Sequence, residues 1–170
     1  MAIAYLNPAS ATTNTNWDSS TLSELAQGET SNTWQTTANN ADLVVTLSDF
    51  DNTGVASIDS VQIIVVGDYD ARSGSWSASA GILNASDSVY YNQILVIPAG
   101  RTASTVVGTV RTTSDGSTAW TDGDLDGMKI RLVSPDCTDK GQLVQFYIKV
   151  VYTEATGYGH RVNGVAAANI

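Results

Sequence analysis

From Ala41 to Thr153, apolar side chains recur at every second position, the period at which neighbouring side chains of a strand alternate between its two faces. The pattern is plainest near its end. Val144, Phe146, Ile148, Val150 and Tyr152 share one face, and Gln145, Tyr147, Lys149 and Val151 share the other. The same alternation marks Leu43, Val45 and Leu47; Val61, Ile63 and Val65; Ile94 and Val96; Val106 and Val110; and Met128, Ile130 and Leu132, with Lys129 and Arg131 opposite. Between these runs lie Asp51-Asn52-Thr53-Gly54, Arg72-Ser73-Gly74, Pro98-Ala99-Gly100, Ser114-Asp115-Gly116, Asp122-Gly123 and Asp139-Lys140-Gly141, which supply residues tolerant of positive φ. Only Ser20 to Gln27 has spacing suited to a helical turn or two. Many short strands joined by turns, with no alternation of strand and helix, predict an all-β antiparallel β-sandwich of jelly-roll type.

A chain of 170 residues fits one domain, and its hydrophobic content of 42% against 15% charged residues is that of a folded protein. The solvated faces must then rely on Ser, Thr, Asn and Gln, which suit strands and tight turns. Seventeen acidic residues against eight basic ones give a net charge of −9, and the basic residues are scattered. That balance disfavours nucleic acid and anionic membranes, both of which attract clustered cations. The run Ile63 to Val66 is far too short to span a bilayer, and Met1 to Ser10 lacks the pattern of a signal peptide, so folding in a cytoplasm is expected.

The expected organisation is a lead-in and arm over residues 1–30, the sandwich over 31–155 and a second arm over 156–170. Neither end carries enough apolar residues to fold alone. They read either as frayed termini or as arms that order on a neighbouring subunit, with Ile3, Tyr5 and Leu6 anchoring one and Val162, Val165 and Ile170 the other.

Candidate chemistry is sparse. Asp122, Asp124 and Asp126, followed by Gly127, match the opening of an EF-hand-type calcium loop, where alternate carboxylates converge on one ion. The twelfth position is Val133 instead of a bidentate Glu, and Met128 to Val133 has strand spacing, so the competing reading is an acidic surface turn. His160 is the single histidine, in a Gly-rich tail, and Cys137 is the single cysteine, which excludes an intrachain disulfide or a Cys-rich zinc site. No nucleophile elbow or phosphate-binding Gly loop is present. The expectation is a protein without catalytic residues or cofactor. Trp17, Trp34, Trp76, Trp120, Tyr69, Tyr90, Tyr91 and Tyr158 leave open a sugar-stacking surface, although such residues more often fill cores.

The stretch Asn32 to Thr153 resembles a jelly-roll domain recurrent in phage virion proteins. The likeness rests on Trp34 to Asn40, on Asp49-Phe50 to Gly54 followed by Ile58, Val61, Ile63 and Val65, on Trp120-Thr121 with Asp124-Leu125 before Met128 to Leu132, and on the closing Lys149-Val150-Val151-Tyr152-Thr153. The family includes capsid decoration (cement) proteins, neck and tail proteins and receptor-binding fibres. The resemblance implies a place in the virion. Short length and the lack of a coiled coil or repeat favour a decoration protein on the capsid surface, forming a homo-oligomer (dimer or trimer) and binding the major capsid protein. The alternatives are a tail or fibre module that binds host glycan, and a small hydrolase built on converging carboxylates.

Overall fold

The computed structural model describes residues 1–15, 17–18, 34–36, 41–69, 75–98, 104–134 and 141–156. Eleven strands and one short helix occupy them: β1 Ala2–Leu6, β2 Pro8–Thr15, β3 Trp17–Asp18, β4 Trp34–Thr36, β5 Asp42–Leu47, β6 Val55–Tyr69, β7 Ser75–Leu83, β8 Val89–Pro98, β9 Ser104–Val107, α1 Asp122–Leu125, β10 Lys129–Val133 and β11 Gly141–Glu154.

All pairings are antiparallel and build two sheets. One has the order β3-β4-β11-β6-β9, with β1 also on β11; the other runs β2-β5-β10-β7-β8. Without β1, β2 and β3, the remaining strands form two four-stranded rows, β4-β11-β6-β9 and β5-β10-β7-β8. Each row places a late strand between two early ones, as a hairpin wound twice around a barrel does, which is the jelly roll. The all-β sandwich expected from the alternation is therefore the fold.

The core lies between the sheets. Val61, Ile63 and Val65 of β6 and Phe146, Ile148 and Val150 of β11 face Leu43, Val45 and Leu47 of β5, Ile130 and Leu132 of β10, and Ala78, Ala80 and Ile82 of β7, all essentially removed from solvent. Alternation makes this possible, since each strand spends every second residue on the core. The turn between β5 and β6 needs Gly54, whose φ of 76° a side chain would resist, and Gly127 before β10 has φ 66°.

Three expectations change. The arm assigned to residues 1–30 is, over its first fifteen residues, part of the sandwich. β1 pairs with β11 from Ile148 to Tyr152 and β2 pairs with β5, so the chain passes from one sheet to the other at Asn7. Asn7 is fixed there by its amide donating to the Ser48 hydroxyl (3.1 Å) and its carbonyl accepting from the Ser48 amide (2.8 Å). The physical reason is that β11 is fourteen residues long and, among the described residues, pairs with β4 at Gln142 and Leu143, while β1 takes the same edge from Ile148 to Tyr152. Leu6 is consequently a core residue at 2% exposure.

Secondly, the register of β11 shifts at a bulge between Leu143 and Gln145, so Leu143 is fully buried and regular alternation begins at Phe146, not Val144. Thirdly, the inward residues of β8 are Leu95 and Ile97, while Ile94 and Val96 point outward. In Ile94-Leu95-Val96-Ile97 every position is apolar, so period alone could not choose the face. Val110 likewise lies beyond β9 and is exposed. The Ser20–Gln27 segment and residues 157–170 lie outside the described residues.

Phe146 is among the largest fully buried side chains. Phe146→Ala is expected to cost about 3–5 kcal/mol, read as a lower urea midpoint with an unchanged slope; a loss under about 1 kcal/mol would contradict this account of the core.

Candidate functional site

At one end of the sandwich the segment Gly108 to Leu125 lies outside the named strands and brings Arg111, Trp120 and Asp124 against Tyr90 and Tyr91 of β8. It is tied to β6 through reciprocal backbone bonds between Val61 and Arg111 (2.8 and 2.9 Å). Asp115 caps the tip of this excursion, accepting from the amides of Ser117 and Thr118 and from both their hydroxyls. The Thr118 amide, then that of Ser117, holds its carboxyl far below the usual carboxylate range.

Trp120 plugs the end of the core at 4% exposure. Its indole N–H donates to the Arg111 carbonyl (2.9 Å), and its ring meets Tyr90 edge-on (5.3 Å, 76°) and Tyr91 at a tilt (6.2 Å, 52°). Tyr91 donates to the Thr113 carbonyl, and the Arg111 guanidinium stacks over its ring at 4.2 Å. The Arg111 Nε is buried without a hydrogen-bond partner.

Thr121 and Asp124 begin the single helical turn α1. The Asp124 Oδ2 accepts from the Thr121 amide (2.9 Å) and hydroxyl (2.7 Å), and the Asp124 amide donates to the Thr121 carbonyl (3.1 Å). The other oxygen of Asp124 accepts from the Tyr90 hydroxyl at 2.7 Å. Burial pushes the Asp124 carboxyl up, but hydrogen bonds from Thr121 and Tyr90 outweigh it and hold it below its ordinary value. Tyr90 moves the other way, to about 12, first through burial and then through its bond to Asp124.

These contacts decide what the three calcium candidates do. Asp124 is occupied by Thr121 and Tyr90, Asp122 accepts from the Asn52 side-chain amide (2.7 Å), and Asp126 follows the helical turn exposed at its C-cap. Among the described residues no group of three or more His, Cys, Asp or Glu is arranged to hold a metal ion. Asp122 and Asp124 lie in the helical turn α1, with Asp126 at its C-cap. Beside it is an open hollow of about 410 Å³ lined by Asn52, Val55, Ser57, Ile58, Trp120 and Asp122. Across it the Asn52 side-chain amide donates to Asp122 (2.7 Å).

The expected anchors of the N-terminal arm divide. Leu6 is buried, whereas Ile3 and Tyr5 are exposed on β1, with Tyr5 packed edge-on against Tyr147 (5.6 Å, 85°). Val162, Val165, Ile170, His160 and Cys137 lie outside the described residues. The aromatic surface imagined for sugar stacking does not form at Trp120, Tyr90 and Tyr91, which pack on each other.

A second feature was not foreseen. Among the described residues, and besides Met1, Ile3 and Tyr5, the exposed large hydrophobic residues are Val89, Ile94, Val96, Val107 and Val110, all on or just beyond the edge strands β8 and β9. The signal was present in the unbroken apolar run Ile94 to Ile97, which a strand cannot bury on one face.

No family model matches the chain, and no curated protein matches it. Among solved structures it is similar to the enzymatically active domain of tailspike protein 4 of bacteriophage CBA120, at 12% identity and a TM-score of 0.48. The match covers 88% of this chain and 19% of that one, so this chain spans about a fifth of the tailspike chain.

The raised pKa of Tyr90 has a definite sign. The folded state keeps its proton up to about pH 12, while an unfolded tyrosine releases it near 10. The stabilisation is therefore present below pH 10 and is lost as pH rises from 10 towards 12. Thermal melts should show wild type losing stability more steeply than Tyr90→Phe across that window; parallel curves would contradict the assigned environment.

Proposed function

We propose that the chain is a non-enzymatic structural protein of a phage particle, specifically a capsid decoration (cement) protein. It would lie on the shell across joints between major capsid protein subunits. The observation that carries the reading is the match between resemblance and topology. Ile58 to Val65 falls on the central strand β6, Trp120 to Leu125 forms the plug and helical turn that lead into β10, and Lys149 to Thr153 closes β11 beside β1. These three segments of the resemblance thus fall on elements of the jelly roll.

The physical logic is avidity. Several modest contacts made together hold the shell, so each copy needs little buried area. The chain would act as a homo-oligomer, and the charge of −9 supports the reading as well, because it keeps acidic oligomers soluble until they meet the lattice. The network at Trp120, Tyr90 and Asp124 fits a structural role, since its groups bond to each other and none is poised as a free nucleophile or base.

Purified chain added to undecorated shells of the major capsid protein from the same particle is expected to bind to saturation and raise the temperature at which the shells come apart. Failure to bind, or binding with no shift in that temperature, would overturn the cement role.

A further inference from the structure

The edges of the two sheets are unequally guarded. β2 opens on Pro8, which has no amide to donate, and carries two register shifts, and β1 has five residues. Short strands, proline and bulges all blunt an edge against pairing. β8 has none of these along most of its length. It is ten residues long, its one irregularity lies at the Val89 end, and its proline is the last residue.

The inner face of β8 is closed by Leu95 and Ile97 in the core and by Gln93, whose Oε1 accepts from the Thr109 amide (2.7 Å). Its outer face presents Asn92, Ile94 and Val96, with Ile94 at 66% and Val96 at 52% exposure. Beside them on β7 stand only small residues, Ser77 opposite Val96, Ser79 opposite Ile94 and Gly81 opposite Asn92. Among the described residues no backbone hydrogen bond other than those to β7 reaches β8.

Charge selects the occupant. From Ser88 to Ser114 the sequence contains no Asp or Glu, although seventeen are present elsewhere, and its two charges are Arg101 and Arg111. Arg111 stands beside β8 over the Tyr91 ring. This is the stretch where a second acidic copy can approach without setting carboxylate against carboxylate. An antiparallel pair of identical strands also matches the pleat: a two-fold axis near Ile94 sets Ile94 against itself and Asn92 against Val96, all on the outer face.

We propose that β8 pairs antiparallel with β8 of a second copy, merging two β2-β5-β10-β7-β8 sheets into one continuous sheet across a two-fold dimer. The proposal rests on the reading of the chain as a self-associating structural protein and names the surface that does it.

The test is light scattering after size exclusion on the full chain and on Ile94→Lys, Val96→Lys and Ile3→Lys, each paired with the capsid-binding assay. Both β8 positions are exposed, so melting temperatures should stay close to wild type, which separates interface loss from unfolding. Wild type and Ile3→Lys are expected to be dimers. Each β8 substitution should weaken the dimer by roughly tenfold or more, because it places like charges together. A wild-type chain that is monomeric at every concentration, or a dimer that survives both β8 substitutions, overturns the proposal while capsid binding still scores the cement role separately. Monomeric wild type whose capsid binding is lost in Ile94→Lys would assign the edge to the capsid subunit instead, and would also overturn it.

Discussion

The antiparallel pairing of β6 with β11 is the constraint on which the rest of the sandwich depends. It runs from Val55–Glu154 to Tyr69–Gly141, joining residues about a hundred positions apart at one end and about seventy at the other. β6 has fifteen residues and β11 fourteen. β11 takes β4 at one end and β1 at the other, and β6 takes β9 and then Arg111. One face of this pair supplies Val61, Ile63, Val65, Phe146, Ile148 and Val150, the floor on which the second sheet rests. Because these contacts are distant in sequence, loop-closure entropy must be met before they form, as in other sandwiches.

The end of the sandwich is closed by different physics. Trp120 is too large to leave the barrel mouth open and too polar to be buried unbonded, and the Arg111 carbonyl meets its indole N–H. Arg111 is therefore used twice, its backbone holding Val61 and Trp120 and its guanidinium covering Tyr91. Tyr90 then links the aromatic plug to the Asp124 cap, so the turn before β10 is set by the core rather than by solvent.

How far the sequence foretold this depended on side-chain contrast. Leu43-Val45-Leu47 and Met128-Ile130-Leu132 alternate with flanking residues that differ in kind or in pairing, and both runs are buried as expected. Pro8 to Thr15 has no large apolar residue, so nothing in its pattern revealed that it would flank β5; only the unfilled edges of the sandwich explain it. In Ile94 to Ile97 the contrast vanishes in the other direction, and the face chosen depends on β7. At Asp122 to Gly127 the carboxylates were legible but not their partners, since Tyr90 and Asn52 arrive from thirty-four and seventy residues away. Local pattern carries element type well; long-range pairing, which assigns edges and polar partners, is not written locally.

The same contrast organises the functional reading. No acidic residue occurs in the sequence from Ser88 to Ser114, and that stretch builds the edge where apolar side chains stay in solvent. An acidic body with one edge strand free of carboxylates suits a protein that acts by occupying surfaces in many copies. The most direct measurement is cryo-electron microscopy of the particle with and without this chain. The account predicts additional density the size of the jelly roll on the outer shell, bridging neighbouring capsid subunits. Density in the tail, or no density in the purified particle, would contradict it.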